Sequence, residues 1–107
     1  MNHFRQTTHL SEILEESEKQ AVIIFMFSNA CRSSAVLREE FERKLAEKNC
    51  KTPIFLVTVQ TQPVLSEKIE KWFQIKHESP QIIILNKSIV TYSAHHANIK
   101  IEDFVYN

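Results

Sequence analysis

Two features of the chain could carry thiol chemistry. Cys31 follows Ser28-Asn29-Ala30 at the end of an apolar run, Ala21-Val22-Ile23-Ile24-Phe25-Met26-Phe27. Ser79-Pro80 comes 48 residues later, just before a second apolar run from Ile82 to Leu85. After Cys31 the chain is charged and amphipathic, with no proline. This pattern reads as strand, short loop, and a cysteine at a helix start. A helix N-terminus has unpaired N–H groups and a positive dipole end, and both favour a thiolate. A proline entering a strand after a serine is a candidate for a cis peptide bond.

Cys31-Arg32-Ser33-Ser34 spells Cys-x-x-Ser. Ser34 stands one helical turn on, where a dithiol enzyme carries its second cysteine. Its hydroxyl can hydrogen-bond the sulfur but cannot form a disulfide, so an active site here is monothiol. Arg32 adds a positive neighbour. The alternative is a buried, inert cysteine. Cys50 lies 19 residues beyond Cys31. If one helix separates them, a rise of ~1.5 Å per residue puts them roughly 25 Å or more apart. A disulfide needs Cα atoms within ~7 Å, so Cys50 reads as a bystander.

Other candidates are weaker. His77, His95 and His96 with Cys31 could be imagined as a metal site, but they lack regular ligand spacing, and adjacent His95 and His96 need not point the same way. The expectation is therefore no metal. Lys76 and His77 can tune the local field or meet an anionic ligand, with Glu78 opposing them. Solvated loop residues are the alternative. Helical spacing from Leu65 and Ile69 places Trp72 and Phe73 in the core. The charged run from Leu37 to Lys44 reads as the solvated face of a helix.

Composition narrows the classes. The 107 residues suffice for one domain, expected over residues 1–107. Thirteen basic residues balance thirteen acidic ones, and no basic cluster exceeds two or three. A nucleic-acid partner is not expected. No apolar run approaches the roughly 18 residues of a membrane helix, and the N-terminus lacks a signal-peptide layout, so no membrane partner and a cytoplasmic setting are expected. In that reducing setting two cysteines read as thiols. Glycine is absent. That removes glycine-dependent phosphate loops. It also passes positive-φ turns to other residues, with Asn49, Asn86 and Asn98 expected there.

The elements that must position Cys31 and Pro80 alternate along the chain. Phe4 fits a short first strand. Thr8 or Ser11 can cap a helix to about Lys19, with Leu10, Ile13 and Leu14 on one face. Residues 21–27 form a strand covered on both sides. A helix runs from Cys31 or Ser33 to Lys48, with Val36, Leu37, Phe41 and Leu45 at helical spacing. Pro53 opens a strand from Ile54 to Val59. Thr61-Gln62-Pro63 starts a helix through Phe73, with Leu65, Ile69, Trp72 and Phe73 inward. Strands at 81–86 and 89–93 form a hairpin across Asn86-Lys87. A last helix from Ile99 or Lys100 to Val105 closes the chain. Strands and helices alternate before a final hairpin, which is the thioredoxin order. The expected fold is α/β, thioredoxin-like: a mixed four- to five-stranded sheet flanked by helices on both faces.

Phe27-Ser28-Asn29-Ala30-Cys31-Arg32-Ser33-Ser34 and Phe73-Gln74-Ile75-Lys76-His77-Glu78-Ser79-Pro80-Gln81 together resemble the YtxJ-like family of monothiol bacilliredoxins. These are thioredoxin-fold proteins of Gram-positive bacteria that use bacillithiol. His-Glu-Ser-Pro-Gln before an apolar strand is the sharper motif. The similarity continues through Ser93-Ala94-His95-His96 and spans nearly the whole chain. Arg32 stands where the family usually has proline or a similar residue.

The resemblance implies removal of bacillithiol from S-bacillithiolated proteins, with Cys31 as nucleophile and Ser34 beside it. Bacillithiol would be co-substrate, with no bound cofactor. Bacillithiol carries a malate group, so Arg32, Lys76 and His77 are expected anion contacts. The Ser79 backbone would pair with the substrate, and Pro80 would shape that loop. Two other classes stay open. One is a catalytically idle module that grips extended partners along the Pro80 loop. The other is a metal or iron–sulfur carrier using Cys31 with a free thiol.

Overall fold

The computed structural model describes residues 4–48 and 51–103, excluding the Asp103 side chain. Asn49, Cys50 and Val105, the expected end of the last helix, lie outside the described residues. The order is β1 (Phe4–Arg5), α1 (Leu10–Lys19), β2 (Val22–Phe27), α2 (Arg32–Lys48), β3 (Ile54–Thr58), α3 (Pro63–Phe73), β4 (Gln81–Asn86) and β5 (Ile89–His95). The five strands form one mixed sheet in the order β1-β3-β2-β4-β5. β2 pairs parallel with β3 and antiparallel with β4. The α/β expectation therefore holds.

β2 is buried along its whole length because both sheet faces are covered. Its period-2 alternation divides the core in two. Ile23, Phe25 and Phe27 join Ile54, Leu56 and Ile82 beneath Phe41 and Leu45 of α2. Val22, Ile24 and Met26 join Phe55, Val57, Ile83 and Leu85 beneath Ile13 of α1 and Leu65 and Ile69 of α3. The central strand thus anchors one helix on one face and two on the other. Its C-terminal end delivers the loop that carries Cys31.

Several sequence expectations need correction. Trp72 is 63% exposed, not in the core. At about 100° per residue, the buried arc of α3 runs from Leu65 through Ile69 and Phe73 to Ser66, and Trp72 falls just past its edge. Val36 is likewise exposed. Neither Thr8 nor Ser11 caps α1. His9 occupies the cap without a side-chain bond, and its N–H donates instead to Thr7 Oγ1 at 3.1 Å. Asn86 and Asn98 do not take positive φ. Gln74, Lys87, Ser88 and His96 do. Lys87 and Ser88 are the two central residues of the β4–β5 hairpin, where a two-residue turn of the I′ type requires positive φ at both. After β5 the described chain forms two one-turn 3₁₀ segments, His96–Asn98 and Ile101–Asp103, rather than an α-helix from residue 99. Ile101 inserts into the α2-side core, which holds the chain in this tighter path.

Candidate active site

The loop between β2 and α2 is fixed before the cysteine is reached. Val59 N–H donates to the Phe27 carbonyl at 2.9 Å, continuing the parallel ladder past the strand end. The Gln60 amide donates to Ser28 Oγ at 2.7 Å and accepts from Asn29 N–H at 3.1 Å. Cys31 N–H donates to the Ser28 carbonyl at 3.2 Å. Cys31 then occupies the cap position of α2, its carbonyl accepting from Ala35 N–H at 3.2 Å. A side-chain acceptor at a helix cap meets the first free N–H groups. Here that acceptor is sulfur.

The thiol is free and half-buried. Its pKa is lowered, chiefly because Ser34 N–H donates to the sulfur and then because the Ser34 hydroxyl does. Partial desolvation opposes this, and the Ser33 N–H and hydroxyl add to it. Ser34 is fully buried. Its Oγ already accepts from Ser28 N–H at 3.3 Å, which leaves its own proton for the sulfur. The Cys-x-x-Ser spacing thus sets the sulfur among donors that favour its ionised form, with no second sulfur at the resolving position.

The Ser79–Pro80 loop faces this helix end. The peptide bond between these residues is cis. Cys31 Sγ lies 3.9 Å from the Ser79 carbonyl oxygen. Buried Gln81 organises the loop, its amide donating to the Lys76 carbonyl at 3.1 Å and accepting from Glu78 N–H at 3.4 Å. His77 N–H donates to the Glu70 carboxylate at 2.6 Å, which ties the loop to α3. The Pro80 carbonyl accepts from His96 N–H at 3.0 Å, and Glu78 pairs with His96 at 3.0 Å. That pairing holds the Glu78 carboxyl below its ordinary pKa.

An open groove of about 580 Å³ runs beside the thiol, lined by Arg32, Ser33, Val36, Leu37, Glu40, Pro80, His96 and Ala97. The structure therefore brings Cys31, Arg32, Ser34, Ser79 and Pro80 to one place. His77 stands apart from the groove lining. Its Nε2 meets Ser79 Oγ at 3.0 Å, and its Nδ1 is buried without a partner among the described residues. Gln60, Gln81, Glu40 and His96 were not singled out from the sequence as thiol-site residues. Gln60 and His96 reach the site from 29 residues beyond Cys31 and 16 beyond Pro80, which no local pattern reports, whereas Gln81 adjoins Pro80 and Glu40 lies on α2 nine residues after Cys31. Among the described residues, the metal-ligating group that converges is Glu78, His95 and His96, with ligand atoms within 4.8 Å of one another. It shares His95 and His96 with the set considered from the sequence, and has Glu78 in place of Cys31 and His77.

A thiol at the cap of the helix after the central strand, facing a proline loop before an antiparallel strand, is the arrangement of a thioredoxin-fold protein. Solved structures agree. A protein described as having a thioredoxin fold superposes with TM-score 0.79 at 24% identity, covering 94% of this chain and 88% of that one. Thioredoxin f from spinach chloroplast (short form) gives 0.71 at 16% identity, covering 94% and 86%. Oxidised thioredoxin from Plasmodium falciparum gives 0.65 at 18%, covering 89% and 86%. The family model for monothiol bacilliredoxin BrxC matches residues 2–104. The chain belongs to that family, and so to the thiol oxidoreductases of this fold. Among the described residues, no helix is long and apolar enough to cross a membrane.

The hydrogen bonds at Cys31 set a pH dependence. A lowered pKa keeps the thiol ionised to lower pH, so reactivity should rise and level off below the range of an ordinary cysteine. Ser34→Ala removes one donor to the thiolate, and the midpoint should move to higher pH. The iodoacetamide rate at neutral pH should fall about threefold, because the greater nucleophilicity of a more basic thiolate offsets part of the loss. A pH–rate profile of alkylation checks this. A midpoint unmoved by the substitution would remove Ser34 from the site.

Proposed function

We propose that this protein removes bacillithiol from S-bacillithiolated proteins by monothiol exchange at Cys31. The observation that carries the reading is the pairing of a donor-stabilised Cys31 with Ser34 at the position one turn on. The Cys31 thiolate attacks the bacillithiol sulfur of the mixed disulfide. That S–S bond breaks, the repaired protein leaves as a thiolate, and a new S–S bond joins Cys31 to bacillithiol. Ser34 supplies no sulfur to resolve this adduct. A second bacillithiol thiolate therefore attacks the bound bacillithiol sulfur, releasing Cys31 thiolate and bacillithiol disulfide. The low-pKa thiol is also the better leaving group in this second step.

The groove supports such a ligand. Arg32 offers a cation to the malate carboxylates, and His96 adds a ring to the groove lining. The Ser79 carbonyl lies beside the sulfur, where a substrate amide can pair with it. Pro80 also lines the groove. His77 acts through Ser79, whose hydroxyl it meets, and Lys76 adds positive charge to the loop. A reducing, cytoplasmic compartment suits a mechanism that needs free thiols.

Intact mass after incubation with oxidised bacillithiol tests this reading. One adduct is expected on the parent chain, reversed by free bacillithiol. Arg32→Gln should slow adduct formation by up to about fivefold, as an exposed charge contact allows. No adduct, or an adduct on Cys50 alone, would shift the reading to an idle partner-binding module. An Arg32→Gln rate equal to the parent's would remove the malate contact only.

A further inference from the structure

We propose that Glu78, His95 and His96 form a binding site for one borderline divalent transition-metal ion, of the zinc type, at the rim of the thiol groove. Two imidazoles and a carboxylate suit such an ion, and three protein ligands leave the rest of its shell to water. Their ligand atoms already lie within 4.8 Å of one another. Bonds of about 2.0–2.2 Å to a shared ion would then need only small side-chain rotations.

The backbone accounts for the convergence. In an extended strand, neighbouring side chains point to opposite faces. His95 ends β5, and His96 takes a φ of 53°, a left-handed value uncommon for a residue other than glycine. This turn brings the two rings together edge to face, with centroids 5.4 Å apart. His96 N–H is held on the Pro80 carbonyl, and its Nε2 lies 3.0 Å from the Glu78 carboxylate. The ion pair needs only Glu78 and His96. A shared ion would use all three. Glu78 comes from the loop before Pro80, and the histidines come from the end of β5. A bound ion would therefore bridge the two segments that frame one end of the groove. This site requires neither Cys31 nor the proposed thiol exchange.

Calorimetric titration of the full chain with zinc chloride, its cysteines first capped with iodoacetamide, is the direct test. One equivalent should bind. Glu78→Gln, His95→Gln and His96→Gln should each weaken binding roughly tenfold or more, and His9→Gln, remote from the site, should not. The parent chain offers a reading that no variant can confuse. Zinc should shift the imidazole NMR resonances of His95 and His96 and leave those of His9 in place. No binding to the capped chain, affinity indifferent to the three substitutions, or shifts confined to other histidines would overturn the proposal.

Discussion

Replacing Cys31 with serine should reduce thiol–disulfide exchange to the uncatalysed background, whereas Cys50→Ser should retain the parental rate. The first loss is total because the chemistry belongs to sulfur. A serine hydroxyl is not ionised near neutral pH, and an oxygen cannot enter the disulfide that stores the bacillithiol group. No neighbouring hydroxyl can substitute. Ser34 is fully buried and already engaged by Ser28 N–H, and Ser33 is an alcohol with the same deficiency. The donors around the sulfur would remain in Cys31→Ser, so the fold and the groove should persist and far-UV circular dichroism should match the parent. The contrast with Cys50→Ser makes the test specific. A resolving cysteine must reach the nucleophile, and α2 runs from Arg32 to Lys48 as one helix. At about 1.5 Å per residue, the far end of α2 stands well beyond disulfide range of Cys31. Release of bacillithiol from a labelled protein, followed by mass spectrometry, separates the outcomes. Equal losses in the two variants would overturn the monothiol mechanism.

The sequence was legible where local pattern and local function coincide. β2 appeared as an unbroken apolar run because helices cover both its faces. Cys31 stood out because a strand, a short loop and a helix start follow one another without interruption. Pro80 stood out because a proline before an apolar run has few other uses. The failures share a cause. Trp72 occupies an apolar position of an amphipathic helix yet sits just outside the arc that the sheet covers, and Val36 lies on the face of α2 opposite Phe41 and Leu45. Periodicity gives the direction of a buried face but not its width. The turn residues failed for a related reason. Lys87 and Ser88, rather than asparagine, take positive φ because α1 holds them. The Ser17 carbonyl accepts from Lys87 N–H at 2.7 Å, and Ser17 Oγ accepts from Ser88 N–H at 3.0 Å. This clamp spans about seventy residues of sequence and overrides local preference. The Gln60 clamp on Ser28 and the meeting of Glu78 with His95 and His96 are long-range in the same way. They exist only once the sheet has placed β3 and β4 beside β2 and β5 beside β4.

Phe41→Ala should cost about 3–5 kcal/mol of folding stability, the usual range for emptying a buried aromatic site. A small domain has only about 5–15 kcal/mol in total, so this single change should bring the protein near the edge of unfolding. The magnitude follows from how α2 is attached. Of its seventeen residues, the buried ones are Ser34, Phe41 and Leu45. Ser34 contributes hydrogen bonds near the thiol, which leaves Phe41 and Leu45, with partly buried Leu37 beside them, to seat the helix on the sheet. Phe41 is fully buried, with ring centroids 5.5 Å from Phe25 of β2 and 6.0 Å from Phe4 of β1. Its ring meets Phe4 edge-on, at 80°, and lies tilted over Phe25 at 30°. Truncation would remove both contacts and open a cavity walled by strands that cannot collapse without breaking their ladders. Val36→Ala, on the same helix but exposed, should change stability by no more than about 0.5 kcal/mol. Denaturant unfolding of both variants, with unchanged slope, measures the difference. The consequence reaches the active site because α2 carries Cys31 at its first cap. A helix loosened at Phe41 no longer holds its N–H groups on the sulfur, so thiol reactivity at neutral pH should fall along with stability. A cost below about 1 kcal/mol would mean that the aromatic cluster does not hold the helix. The rigidity of the thiol site would then rest on the hydrogen bonds of its loop, the Ser28–Gln60 clamp among them.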